Sequence, residues 1–251
     1  MPLFEINLSS AALGIQTAVN VILPISVDQK KLSEEHTYSY GDRKFPVLYL
    51  LHGASDDYSC WMRWSSIERY ANEKGIAVVM PSADLSAYTN MKHGHDYWTY
   101  ISEELPAFIE ATFPVSTKRE DTFAAGLSMG GYGAFKLALL KPEKFAAAAS
   151  LSGALDMADR VRKDRKYDNA FGDHAVLDGT ENDLLHLVKM AEGDLPRLFQ
   201  ACGTEDFLYE DNIRFKKLAE ERNLDLTYEE EPGDHDWAYW DMKIQRVLEW
   251  L

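Results

Sequence analysis

The chain has too little cysteine, too little positive charge and no apolar run of sufficient length for three broad classes of protein. Two cysteines, Cys60 and Cys202, among 251 residues cannot build a disulfide framework. They are also too few for a structural zinc site. No apolar stretch approaches the ~20 residues that a membrane-crossing helix requires. The opening Met1-Pro2-Leu3-Phe4-Glu5-Ile6 lacks the basic start and apolar core of a secretion signal, so a cytoplasmic protein with no membrane partner is expected. Lys and Arg number 26 against 41 Asp and Glu, and the resulting net charge of −15 would repel nucleic-acid phosphates. Internal repeats, low-complexity tracts and linkers are also missing. The acidic cluster Glu229-Glu230-Glu231 reads as a solvated strand end.

What is present suits an α/β protein. With 46% hydrophobic residues, residues 1–251 can bury the core of a single domain. Short apolar runs alternate with helical spacing. Ile6 to Leu8 and Ala18 to Leu23 read as an antiparallel edge hairpin, and 28–44 as a polar loop. The runs 45–51, 76–80, 122–125, 145–151, 198–202 and 225–228 read as strands, the apolar ones buried on both faces. Helices are expected over 65–74, 97–112, 130–140, 212–222 and 237–251. That alternation implies right-handed crossovers and a mostly parallel sheet with helices on both faces. One insertion, 155–194, is charged and turn-rich, and reads either as a small cap over the cleft or as a solvated excursion from the sheet.

The most informative run is Thr122-Phe123-Ala124-Ala125-Gly126-Leu127-Ser128-Met129-Gly130-Gly131-Tyr132-Gly133. A buried strand leads into Gly-x-Ser-x-Gly, and a small-residue helix follows. This is the nucleophile elbow of an α/β-hydrolase, a turn sharp enough to project Ser128 into a cleft. The helix that follows presents its free N–H groups where an oxyanion would form.

A serine hydroxyl needs a base to take its proton and an acid to orient that base. In this fold the chain order is Ser, acid, His. Of the seven histidines only His235 follows the final strand, in Gly233-Asp234-His235-Asp236-Trp237. The acid belongs after the strand at 198–202. Asp206 and Glu205 both qualify there, with Asp211 more distant; Asp206 is shorter and adjoins the apolar Phe207. Asp234 and Asp236 are neighbours of His235 in sequence and project away from it, so they read as loop caps.

Two backbone donors are needed for the oxyanion. Met129 N–H, just after the serine, is one. The other comes from His52-Gly53-Ala54-Ser55, where Ala54 is selected and His52 reads as a structural hydrogen-bonding residue. Trp61, Trp98 and Trp237 are candidate walls of a substrate pocket. No metal-ligand cluster is evident, and no metal or organic cofactor is expected.

The runs Leu50-Leu51-His52-Gly53, Gly126 to Gly133, Cys202-Gly203-Thr204-Glu205-Asp206-Phe207-Leu208 and His235-Asp236-Trp237 together resemble one esterase family. It holds esterase D (S-formylglutathione hydrolase), feruloyl and acetyl xylan esterases and mycolyltransferases. The likeness is greatest to bacterial tributyrin esterases, and Glu103-Glu104-Leu105-Pro106 and Ser152-Gly153-Ala154-Leu155 share in it. The resemblance implies an α/β-hydrolase fold with Ser128 as nucleophile, Asp206 as acid in preference to Glu205, His235 as base, and Ala54 and Met129 as oxyanion donors. It implies hydrolysis of small-molecule short-chain acyl esters. Acetyl xylan or feruloyl ester hydrolysis is the alternative, and S-formylglutathione hydrolysis is disfavoured by the His52-Gly53 pair. By analogy of fold, a homo-oligomer is expected.

Overall fold

A computed structural model of the chain describes residues 2–24 and 43–251. The polar loop expected at 28–44 falls, up to residue 42, outside the described residues. Eight strands make one sheet: β1 Leu3–Ser10, β2 Ile15–Ile22, β3 Val47–Leu51, β4 Ala77–Pro81, β5 Thr122–Leu127, β6 Ala147–Leu151, β7 Arg197–Gly203 and β8 Leu226–Glu231. Their order is β1-β2-β4-β3-β5-β6-β7-β8. β1 and β2 form the expected antiparallel edge hairpin, and β2 joins β4 antiparallel. Every other pairing is parallel.

Residues alternate between the two faces of the sheet, as pleating requires. Val47, Tyr49 and Leu51 of β3 enter a core layer with Tyr132 and Phe135 of the helix Met129–Leu140. Leu48 and Leu50 enter the opposite layer with Ile244 and Val247 of the last helix, Trp237–Trp250. Burial on both faces is why these strands read as continuous apolar runs. After β3 the chain crosses outward to β4, then returns on the other side of β3 as β5. The carboxyl ends of β3 and β5 therefore lie side by side, Leu51 opposite Gly126, at a topological switch point. In open α/β sheets this is where a ligand crevice forms.

Three expectations change. The helix predicted over 97–112 is instead a short turn at Tyr97–Thr99, a π-helical turn at Tyr100–Glu104 and an α-helix at Leu105–Thr112. Pro106 has no N–H for the Ser102 carbonyl, which accepts from Lys144 Nζ at 2.9 Å instead. Glu104 thereby meets the β1–β2 turn and accepts from Ser10 Oγ (2.5 Å) and from the N–H groups of Ala11 (2.7 Å) and Ala12 (3.2 Å). The Glu229-Glu230-Glu231 run is not simply solvated. Buried Lys243 donates to Glu229 (2.8 Å) and Glu231 (2.6 Å), while Tyr209 and Tyr228 donate to Glu230. The insertion 155–194 is more ordered than turn-rich sequence suggests. It carries helices at Met157–Lys163, Asp168–Phe171 and Leu184–Met190. Lys92 and His93 donate their N–H groups to the carbonyls of Ala170 (2.8 Å) and Asn169 (2.9 Å), which binds it to the loop after β4. No helix among the described residues is long and apolar enough to cross a membrane.

The helix Met129–Leu140 can cross β3 closely only because Gly130 lacks a side chain: a Cβ there would stand 2.3 Å from the Leu51 carbonyl oxygen. Gly130→Ala should lower stability by about 3 kcal/mol or more, because backbone on both sides cannot move aside. Gly179→Ala is the control. It has positive φ but open space around it, so only the left-handed penalty of about 1 kcal/mol applies. Urea unfolding of the two variants checks this, and equal losses would contradict it.

Candidate active site

β5 ends at Leu127 and the helix begins at Met129, leaving Ser128 alone at the turn with φ +52° and ψ −117°. A non-glycine residue holds such a conformation only where its surroundings enforce it. Here Ser128 N–H donates to the Leu151 carbonyl at 2.9 Å. The Ser128 carbonyl accepts from the N–H groups of Ala154 (3.1 Å) and Tyr132 (3.2 Å). A Cβ on Gly126 would fall 2.4 Å from Gly130 backbone atoms, so the turn tolerates nothing larger on either side.

His235 reaches this turn from the loop between β8 and the last helix. Its Nε2 is 3.0 Å from Ser128 Oγ and its Nδ1 is 2.8 Å from Asp206 Oδ2. With the Nδ1 proton directed at a carboxylate, Nε2 is left to accept from the serine hydroxyl. Asp206, on the loop after β7, is buried, and its Oδ1 accepts the Leu208 N–H at 2.8 Å. Burial pushes its carboxyl up. The hydrogen bond and charge of His235 and the Leu208 N–H outweigh that, and the group lies below the ordinary value. Glu205 is directed elsewhere, accepting the Gly233 N–H at 2.5 Å. Asp211 is held by Arg160 and Arg214. Asp236 caps the last helix through the Tyr239 N–H, and Asp234 accepts the His235 N–H, both as expected of loop caps.

Two rings that the sequence did not single out touch the imidazole. Phe207, 64% exposed beside Asp206, has its ring centroid 4.5 Å from that of His235. Trp240 meets the imidazole edge-on at 4.9 Å. Adjacency to Asp206 was the available signal for Phe207. Trp240 lies in the first turn of the last helix, and helical rotation puts its ring on the side of the His235 loop. Trp237 is half-buried and packs on Trp240 (5.3 Å) and Trp61 (5.1 Å), one ring removed from the histidine. Trp61 is corrected from pocket wall to support. It is 1% exposed, and its indole N–H donates to the Leu51 carbonyl at 3.1 Å, so it braces the end of β3 from within the core. Trp98 is half-buried with its ring 4.6 Å from Lys136 Nζ.

The loop after β3 passes beside Ser128, and a Cβ on Gly53 would stand 3.7 Å from the serine Cβ. Gly53 N–H is taken by Asp56 Oδ2 at 3.2 Å. Ala54 N–H donates to no group among the described residues. The next peptide is oriented by His52: its Nε2 accepts the Ala83 N–H at 2.9 Å, leaving Nδ1–H to donate to the Gly53 carbonyl at 2.7 Å. In a trans peptide, fixing the Gly53 C=O fixes the Ala54 N–H on the opposite side. Burial lowers the His52 pKa, in keeping with the neutral imidazole this arrangement requires. Met129 opens the helix and has no carbonyl four residues back within it to receive its N–H.

A family model described as "Putative esterase" matches residues 10–251, and the chain belongs to that family. An acetyl esterase of Caldicellulosiruptor saccharolyticus is 32% identical over all of this chain and 98% of its own length. Among solved structures, FphF, a fluorophosphonate-binding serine hydrolase of Staphylococcus aureus, is 39% identical with a TM-score of 0.89, covering 99% of this chain and 97% of that one. The S-formylglutathione hydrolase FrmB of the same organism is 38% identical with a TM-score of 0.86, covering 99% and 98%. The protein is an α/β-hydrolase and a carboxylic ester hydrolase.

Asp206→Asn should preserve the loop while presenting an N–H₂ where the imidazole N–H needs an acceptor. On the triad reading, kcat for an activated ester should fall by about 10³- to 10⁴-fold. Because the folded pKa of Asp206 is depressed below its ordinary value of 3.8, its charge stabilises the fold above that pH, and this is lost as pH falls through the depressed value. The Tm difference between wild type and Asp206→Asn should therefore narrow on acidification below about pH 4. A kcat within tenfold of wild type would contradict the first expectation, and a Tm difference that widens with acid would contradict the second.

Proposed function

We propose that the protein is a serine carboxylesterase for short acyl chains that works through a Ser128-His235-Asp206 triad, with 155–194 as a small cap on a single domain. The observation that carries this reading is the unbroken chain of contacts from Ser128 Oγ through both ring nitrogens of His235 to a buried carboxylate. His235 removes the hydroxyl proton as Ser128 attacks the ester carbonyl. The N–H groups of Met129 and Ala54 receive the oxyanion, and Asp206 stays ionised and stabilises the imidazolium. His235 then protonates the leaving alcohol. Water, deprotonated by the same imidazole, cleaves the acyl-enzyme, and Ser128 is regenerated.

The 32% identical acetyl esterase supports a short acyl group. A second reading has its own support: the 38% identical S-formylglutathione hydrolase favours a formyl thioester, which the His52-Gly53 pair disfavours. Thioester and ester share the acyl-enzyme route and differ in the leaving group. The exposed ring of Phe207 beside His235 would also stack on the phenolic or sugar portion of a feruloyl or acetyl xylan ester.

Initial rates on p-nitrophenyl acetate, butyrate and octanoate, S-formylglutathione, methyl ferulate and acetylated xylo-oligosaccharide separate these readings. The expected result is highest kcat/KM on acetate or butyrate, with Ser128→Ala losing about four to six orders of magnitude in kcat. A far higher kcat/KM on the thioester, ferulate or sugar ester would replace the proposed substrate class. Near-wild-type activity in Ser128→Ala would overturn the mechanism.

A further inference from the structure

Lys136 lies two turns into the helix that follows Ser128 and is wholly buried, 0% exposed. No carboxylate forms a salt bridge with it among the described residues. Its Nζ donates instead to Asn182 Oδ1 at 2.6 Å and to the Tyr88 carbonyl at 3.2 Å, and stands 4.6 Å from the centroid of Trp98. A buried ammonium without a counter-ion is costly, and two carbonyl dipoles with one aromatic face are the groups that offset its desolvation. Burial lowers its pKa to about 7, and the charge of Glu181 opposes that shift.

The segment it holds is strained. Asp84, Ala87 and Tyr88 all have positive φ (43°, 49° and 48°), and three such residues in one loop persist only under outside restraint. Tyr88 is restrained at both ends. Its carbonyl accepts from Lys136, and its hydroxyl donates to the His52 carbonyl at 2.9 Å. Gly133 makes room for its ring, since a Cβ there would lie 2.5 Å from Tyr88 Cδ2. Two consecutive peptides beside Ser128 are thus gripped: His52–Gly53 by the Tyr88 hydroxyl and Gly53–Ala54 by the His52 ring. Asn182, within 155–194, also accepts from Thr89 Oγ1 at 3.2 Å, and its carbonyl accepts from the Tyr132 hydroxyl at 2.9 Å. The cap segment therefore bears on the same lysine.

We propose that Lys136 is a positioning residue for the oxyanion loop, acting through Tyr88 on the His52 carbonyl, and that Asn182 couples the seating of 155–194 to that loop. The proposal rests on the serine-esterase reading, because it concerns the Ala54 N–H that reading assigns to the oxyanion. A loop displaced by a fraction of an ångström would still admit the ester and would stabilise its tetrahedral intermediate less well.

The test compares Tyr88→Phe, Lys136→Met and the double variant on p-nitrophenyl acetate, with the Ki of a trifluoromethyl ketone measured alongside. Tyr88→Phe deletes one hydroxyl and keeps the ring. It should lower kcat by about tenfold with KM within about twofold, and raise the ketone Ki by about the same factor as the loss in kcat. Lys136→Met should do the same to a greater extent, and the double variant should fall no further than Lys136→Met alone. A merely structural lysine would lower Tm without that match between kcat and Ki. If Lys136→Met does not fold, Asn182→Ala with Tyr88→Phe forms the equivalent cycle, in which the losses should again fail to multiply. Tyr88→Phe with kcat within twofold of wild type, losses that appear in KM, or losses that multiply would overturn the proposal. Wild type inactive on the ester would instead refute the underlying esterase reading.

Discussion

With no side chain at Gly126 or Gly130, the helix after Ser128 can lie against the carboxyl end of β3 at a separation any Cβ would forbid. Most of the site depends on that contact. It forces the chain to turn within one residue, which drives Ser128 to positive φ and exposes its hydroxyl. It also aligns the start of the helix with the loop leaving β3, so that the Met129 and Ala54 N–H groups belong to adjacent segments. A helix set farther out would relax the serine and separate the two donors together. Trp61 supports the same point from beneath, through its indole bond to the Leu51 carbonyl.

Around this contact the polar groups form two connected systems. One runs from Ser128 through His235 to Asp206 and the Leu208 N–H, and it is built on the loops after β5, β7 and β8. The other runs from the Gly53 carbonyl through His52 to Ala83, and from the His52 carbonyl through Tyr88 to Lys136 and Asn182. On the proposed mechanism the first moves a proton and the second fixes a dipole. Among the described residues no hydrogen bond joins them, and they approach each other where Gly53 passes beside Ser128, so loss of one leaves the geometry of the other substantially in place.

Residues whose positions follow from local chain geometry were legible in the sequence. Gly-x-Ser-x-Gly between a strand and a helix specifies its own turn. The order of His235 and Asp206 relative to the strands follows from how a parallel sheet delivers its loops to one edge, and the edge hairpin and buried strands follow from hydrophobic pattern. Residues whose roles depend on distant partners were not legible. A lysine in a helix reads as solvent-exposed, and nothing near Lys136 in sequence announces that Tyr88, Trp98 and Asn182 close over it. Trp61 and Trp237 adjoin the site in sequence, yet Trp240 meets the imidazole, because helical rotation decides which ring faces inward. The helical spacing over 97–112 runs straight through Pro106, and only Lys144 and the β1–β2 turn make a π-helical turn the better solution. Glu229 and Glu231 read as solvated until Lys243 is brought between them.

The central claim is that one hydroxyl, that of Ser128, is made nucleophilic by its surroundings. Intact-mass analysis after brief exposure to diethyl p-nitrophenyl phosphate, followed by peptide mapping, tests it most directly. The account predicts a single diethylphosphoryl adduct on the peptide that contains Ser128, with release of one equivalent of p-nitrophenolate. Under the same conditions a His235→Ala variant should remain unmodified. An adduct on another residue, or equally rapid labelling without His235, would contradict it.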